Sequence, residues 1–228
     1  MFDGKFRAPI DRAVRPIGHA LRRTGLTPDH LTVGGLLVGI GAAVAIGSGR
    51  LHLGLALVIL AALPDLLDGA LAKASDAASQ RGAFFDSTVD RITDALLFGG
   101  VAWYLGSSDS PHMAVLPFAV MAVSSVISYQ RAKAESLGLD AKGGLMERAE
   151  RVVLLCLGLL VEDLLVPVLW VLLVLTSITA VQRFVKVWKQ AAVAPVTAAR
   201  IELRRSRRQS RRVARSERRR TRVPRRRS

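Results

Sequence analysis

The sequence predicts an all-α fold: an integral membrane bundle of six transmembrane helices preceded by a basic amphipathic surface helix. Three observations predict it. Half of the 228 residues are hydrophobic. They gather into six runs separated by short polar segments, several long enough to span a bilayer. The net charge of +15 sits almost wholly at one end, because residues 200–228 hold fifteen Arg and two Glu, leaving only +2 for the rest. The high isoelectric point therefore describes a tail and not the domain. A single Cys, Cys156, lies in an apolar run, which excludes an intrachain disulfide.

Residues 1–26 form the predicted surface helix. Phe2–Thr24 carries six Lys/Arg among Phe6, Ile10, Val14, Ile17 and Leu21, which recur every three or four positions. No apolar core or cleavage site makes it a secretory signal. The transmembrane domain is assigned to residues 27–190. Thr27-Pro28-Asp29 starts its first helix by capping chemistry. Leu31–Gly49 then runs 19 residues without charge, with Gly35 and Gly39 as a small-residue face for close helix packing. A second run begins at Leu51 and meets Pro64 and Asp65 after 14 uncharged residues, so a polar half must complete the span. The third helix mirrors it, polar from Gly82 to Asp94 and uncharged from Ala95 to Ser108. Asp109-Ser110-Pro111 is a turn, and Met113–Gln130 is a fourth span. Val152–Val161 is a fifth run extended by the turns before it, and Leu164–Gln182 is a sixth. Residues 191–228 are an Arg-rich tail that cannot form a core.

Orientation follows from the Lys/Arg bias. With both termini in the cytoplasm, the inward segments hold six, two and five Lys/Arg before the tail, and the outward loops hold only Arg50. The predicted location is the cell membrane, multi-pass, with the acidic hairpin described next on the cytoplasmic side. Anionic membrane lipid is the expected partner of the tail. Nucleic acid is disfavoured, because no aromatic residues interleave with the Arg runs for base stacking.

Four carboxylates interrupt this greasy chain. Asp65 and Asp68 are three apart, and Asp86 and Asp90 four apart, so each pair shares a helix face. A turn near Ala77, with a rise of about 1.5 Å per residue, sets Asp68 opposite Asp86 and Asp65 opposite Asp90. Converging carboxylates repel one another unless a cation intervenes. An all-oxygen set favours Mg²⁺, Mn²⁺ or Ca²⁺. Gly69 and Gly82 leave room for a ligand to approach the backbone. Asp94 shares the Asp90 face and is expected to form an ion pair with Arg91 or with a nearby helix.

The stretch Asp65-x-x-Asp68-Gly69-x-x-Ala72-Lys73, eight residues, then Gly82-x-x-x-Asp86-x-x-x-Asp90 resembles the signature of the CDP-alcohol phosphotransferases. Every position matches except Lys73, where the family has Arg. The resemblance implies attack of a hydroxyl on the β-phosphorus of a CDP-linked lipid, with release of CMP. It implies Mg²⁺, two ions with Mn²⁺ as a substitute, held by Asp65, Asp68, Asp86 and Asp90, and Asp90 as general base. It implies CDP-lipid contacts at Asp29, Thr32, Gly69, Lys73, Ser79 and Gly82, and a homodimer. Lys73 keeps the charge but loses the two-pronged donor, which predicts weaker or altered CDP-lipid binding.

The segments Ser128–Glu135, Gly138-Leu139, Gly143-Gly144, Glu147–Arg151 and Val181–Arg183 resemble the actinobacterial phosphatidylinositol-phosphate synthase branch. The resemblance, which covers roughly residues 20–190, implies that Arg131, Lys133, Arg151 and Arg183 bind the acceptor phosphate and that the acceptor is inositol phosphate. Two departures stand out: the order Arg131-x-Lys133 is reversed, and Ala149 replaces a Pro. Glycerol 3-phosphate or another alcohol is the alternative acceptor. A cation-binding or transporting membrane protein is the alternative of another class, and the absence of a second acidic relay on later helices weighs against it.

Overall fold

The structure, a computed structural model, describes residues 28–75, 79–108 and 111–192, with the side chains of 28 and 64–75 excepted. Among the described residues every regular element is helical. The long helices are α1 (Pro28–Gly47), α2 (Leu51–Ser75), α3 (Gln80–Gly106), α4 (Val115–Ser136), α5 (Arg148–Leu160) and α6 (Leu165–Ala191). Single 3₁₀ turns at Pro111–Ala114 and Glu162–Leu164 precede α4 and α6. Contacts group the chain into Met1–Phe184 and Val185–Ser228, and the described part of the second unit is the end of α6. The expected surface helix and Arg-rich tail lie outside the described residues.

Each boundary has a local cause. Pro28 opens α1, where its missing N–H costs nothing, and Asp29 in the first turn complements the helix dipole. α2 runs through Pro64 without a break in its helical backbone. Ser79 caps α3 from an extended conformation, its Oγ accepting from the Gly82 N–H at 3.0 Å. α4 ends in a Schellman motif: the Gly138 N–H donates to Glu135 O at 3.0 Å and the Leu139 N–H to Ala134 O at 2.8 Å. Gly138 takes the left-handed φ of +71° that this motif needs. The Glu150 carboxylate accepts from the Glu147 N–H at 3.1 Å and closes the start of α5.

Polar and charged side chains are buried beside the apolar core, and large apolar side chains face outward. Asp94, Arg151, Thr176, Thr179 and Arg183 are buried, whereas Leu37, Phe118, Val171 and Val181 are exposed. Apolar residues facing outward and backbone satisfied within helices are what a hydrocarbon solvent demands. Among the described residues, Asp29–Gly47, Pro111–Ser136 and Glu162–Ala191 are long and apolar enough to cross a membrane. Leu51–Leu63 is a shorter apolar stretch. α3 is half polar and α5 has only 13 residues, so length and apolarity alone do not mark them.

α1 packs on α2 and α3 at very close range. A Cβ added at Gly100 of α3 would lie 2.5 Å from the carbonyl oxygen of Ala43 on α1. Gly39 meets Thr93 in the same seam, at 3.1 Å from where its Cβ would stand. The small-residue face of α1 is therefore used inside the chain. The core is apolar, with Ile46, Val58, Val101, Val120, Leu155 and Leu169 among its members.

Candidate active site

The polar half of α3 carries the site. Asp86, Asp90 and Asp94 follow at four-residue intervals, so they line one face. On α5 the capped start presents Arg148 and Arg151, three apart and likewise on one face. The two faces meet. Arg148 Nη1 lies 2.9 Å from Asp90 Oδ1, and Arg148 Nε lies 3.2 Å from Asp94 Oδ1. Arg151 Nη2 lies 3.0 Å from Asp94 Oδ2. Arg91 Nη2 approaches the other oxygen of Asp90 at 3.4 Å. Asp94 thus pairs with a nearby helix, while Arg91 turns to Asp90.

Arg183 enters from α6. Its Nε donates to Gly143 O at 2.9 Å, its Nη1 lies 3.4 Å from Ile127 O, and its Nη2 lies 3.6 Å from Glu147 Oε1. The loop that supplies Gly143 is pinned to α6, because the Met146 N–H donates to Thr179 Oγ1 at 3.0 Å. Gly144 lies so near Thr179 that a Cβ there would stand 2.5 Å from Thr179 Cγ2, and its φ is +140°. Nearby, Arg91, Arg148 and Arg151 all reach the Asp90 and Asp94 carboxylates. Several guanidiniums share one neighbourhood, an arrangement that favours an anion of high charge density.

The predicted CDP-lipid residues come together in part. The Asp29 carboxylate at the start of α1 lies 3.8 Å from where a Gly82 Cβ would stand, and Ser79 Oγ is 3.2 Å from the same point. Asp29 and Thr32 are half-buried on α1. Asp65, Asp68, Gly69 and Lys73 lie on the helical backbone of α2, and their side chains are outside the described set. The facing of Asp65 and Asp68 onto α3 falls there too. Among the described residues no group of three or more His, Cys, Asp or Glu is placed to hold a metal. The described donors, Asp86 and Asp90, are half-buried carboxylates one helical turn apart, and oxygen donors of this kind fit a hard divalent ion.

Of the predicted acceptor-phosphate residues, Arg151 and Arg183 are buried at the site. Arg131 is exposed and pairs with Glu135 one turn on, at 3.0 Å, and Lys133 is exposed on the last turn of α4. Sequence reasoning passed over Arg91, Arg148 and Glu147 as site residues. The signal for Arg148 was present: acids four apart on one helix and Arg residues three apart on another can interlock. What was missing was the knowledge that α5 faces α3.

A family model described as CDP-alcohol phosphatidyltransferase matches residues 25–199. The chain belongs to the CDP-alcohol phosphatidyltransferases. The phosphatidylinositol phosphate synthase of Mycolicibacterium smegmatis is 37% identical over 187 residues, covering 78% of this chain and 84% of that protein. The synthase of Mycobacterium tuberculosis strain H37Rv is 37% identical over 193 residues, covering 80% and 88%. A crystal structure of the Mycobacterium tuberculosis synthase with CDP-DAG bound superposes with a TM-score of 0.72 at 36% identity, covering 78% of this chain and 94% of that one. A second, in complex with manganese and citrate, has a TM-score of 0.72 at 34% identity, covering 77% and 88%. As a CDP-alcohol phosphatidyltransferase, the protein is an enzyme of phospholipid synthesis, with helices suited to a membrane.

Proposed function

We propose that this phosphatidyltransferase moves the phosphatidyl group of CDP-diacylglycerol to a hydroxyl of inositol phosphate. The observation that carries this reading is the run of ion pairs from the Asp90 carboxylate through Arg148 and Asp94 to the buried Arg151, on a chain whose relatives are phosphatidylinositol phosphate synthases. The acceptor oxygen forms a bond to the β-phosphorus, and the bond from that phosphorus to the oxygen of CMP breaks. The hydroxyl proton passes to Asp90, and CMP departs with the bond electrons. Arg151, Arg183, Arg131 and Lys133 hold the acceptor phosphate. Asp29, Thr32, Gly69, Lys73, Ser79 and Gly82 hold the CDP-lipid.

Asp65, Asp68, Asp86 and Asp90 would hold two Mg²⁺ ions, for which Mn²⁺ can substitute. When bound, the metal neutralises pyrophosphate charge that a low-dielectric site could not otherwise accept. Asp90 is also the base, a role that needs tuning, since a carboxylate near a cation is weakly basic.

The same reading assigns residues 1–26 to a surface helix, 27–190 to six membrane crossings and 191–228 to a tail on anionic lipid. Both termini and the acidic end face the cytoplasm, supported by the Lys/Arg bias. A homodimer is part of the reading on family habit alone, since Gly39 is used against α3.

The test is CMP release from CDP-diacylglycerol by the purified chain with Mg²⁺, across a panel of acceptors. Release that requires inositol phosphate is expected. Release with glycerol 3-phosphate in its place would keep the chemistry and overturn the acceptor. No release with any acceptor would overturn the reading.

A further inference from the structure

The acceptor chemistry has two ends, a phosphate to be held and a hydroxyl to be deprotonated. Three consecutive ion pairs join them. Asp90 meets Arg148 at 2.9 Å, Arg148 meets Asp94 at 3.2 Å, and Asp94 meets Arg151 at 3.0 Å. The inner members use separate atoms for each neighbour. Arg148 offers Nη1 to one carboxylate and Nε to the other, and Asp94 offers Oδ1 to Arg148 and Oδ2 to Arg151. A guanidinium can fork in this way, and an ammonium cannot do so in a fixed plane. The chain grows more buried toward its phosphate end, from side-chain exposures of 20% at Asp90 and 24% at Arg148 to 11% at Asp94 and 4% at Arg151. The deep end is the fixed end.

We propose that Arg148 and Asp94 are positioning residues that tie the Asp90 carboxylate to the acceptor-phosphate cradle and so set the distance between base and phosphate. The proposal rests on the reading above, in which Asp90 takes the hydroxyl proton and Arg151 holds phosphate. Neither residue touches the reacting atoms. Arg148 holds one oxygen of Asp90, and Asp94 holds Arg148 and Arg151 in register. Arg183 reaches the start of the same helix through Glu147, 3.6 Å away, and the backbone carbonyls of Gly143 and Ile127 fix it. An acceptor whose hydroxyl lies at the wrong reach from its phosphate then meets the cradle without meeting the base. Misplacing a base by a fraction of its working distance costs rate steeply, because orientation supplies much of the barrier reduction.

The test is a double-mutant cycle in the full-length protein with Arg148→Lys, Asp94→Asn and the pair together. Four quantities are read: kcat and KM for inositol phosphate, KM for CDP-diacylglycerol, Mn²⁺ affinity by electron paramagnetic resonance, and Tm. Each single variant is expected to lower kcat/KM for inositol phosphate about 10- to 100-fold. CDP-diacylglycerol KM should stay within about threefold, because neither residue is assigned to that lipid, and Mn²⁺ affinity no weaker than about threefold, because Asp65, Asp68 and Asp86 of the assigned set are unaltered. The double variant should be no worse than the poorer single, because one broken link already frees the chain. Additive losses, unchanged acceptor kinetics, or losses in which CDP-diacylglycerol KM and Mn²⁺ affinity worsen together with Tm would each overturn the proposal. If the unaltered chain releases no CMP with inositol phosphate, it is the underlying reading that fails, before any variant is made.

Discussion

The two halves of α3 are built on different principles. From Ala95 onward the helix packs by contact: Gly100 lets α1 come within backbone reach, and Leu97, Phe98 and Val101 fill the apolar core. From Gln80 to Asp94 the same helix adds charge to contact: Thr93 meets Gly39, and Asp90 and Asp94 interlock with Arg148 and Arg151 of α5. The apolar half gains from dispersion and close packing, which are indifferent to chemistry. The polar half places charges in a setting where desolvation is costly and geometry must be good. One helix thus carries two kinds of contact along its length.

The comparison can be broken first at its most reactive point. On the proposed reading Asp90 is the base, so Asp90→Asn, which keeps the shape, should lower CMP release by about 10²–10⁴-fold. Tm should change little, since the residue is only partly buried; a large fall in Tm would mean that Asp90 belongs to the framework. Arg151→Leu strikes the junction of the two principles. It strands the Asp94 carboxylate in a buried setting, for which a loss of about 3–5 kcal/mol is typical. Arg148 still faces Asp94, so the lower end of that range is expected, read by chemical denaturation in detergent. Gly100→Ala tests the packed half alone. Its new Cβ would sit 2.5 Å from the Ala43 carbonyl oxygen, so α1 must shift. About 1–3 kcal/mol should be lost, with the kcat of the folded fraction unchanged.

Smaller effects sharpen the same contrast. Lys73→Arg restores the family's two-pronged donor and should lower KM for CDP-diacylglycerol several-fold with kcat near its starting value. An unchanged KM would show that Lys73 already serves as well. Arg131→Ala removes an exposed pair with Glu135, both side chains about half exposed. A stability change of only about 0.3–0.5 kcal/mol is expected, so any rise in acceptor KM would report phosphate binding and not packing.

Much of this was legible from the chain. The breaks at Gly47–Leu51 and around Glu162 fall where uncharged runs stop, because helices in hydrocarbon need long apolar stretches and turns need polar residues. The signature that carries the family resemblance runs into the polar half of α3, and the family model matches residues 25–199. The polar partners were harder. Arg183 stood out as a charge in an apolar run, but its contacts with Gly143 and Ile127 span forty and more residues of sequence. Ser79 was expected at a phosphate, and its hydroxyl oxygen also accepts from the Gly82 N–H as the cap of α3. A short hydroxyl residue before a helix serves either purpose, and local sequence does not separate them.

By itself, the sequence determined what depends on period and composition. The all-helical class, the apolar stretches suited to a membrane, and the one-face alignment of Asp86, Asp90 and Asp94 follow from a 3.6-residue repeat and the cost of burying charge. The tertiary structure decided which faces meet. That α5 lies against the acid face of α3, that Arg148 bridges two carboxylates, and that Gly39 faces Thr93 within the chain are matters of long-range packing. Pairings between distant helices depend on the complementarity of whole surfaces, and no local pattern encodes that.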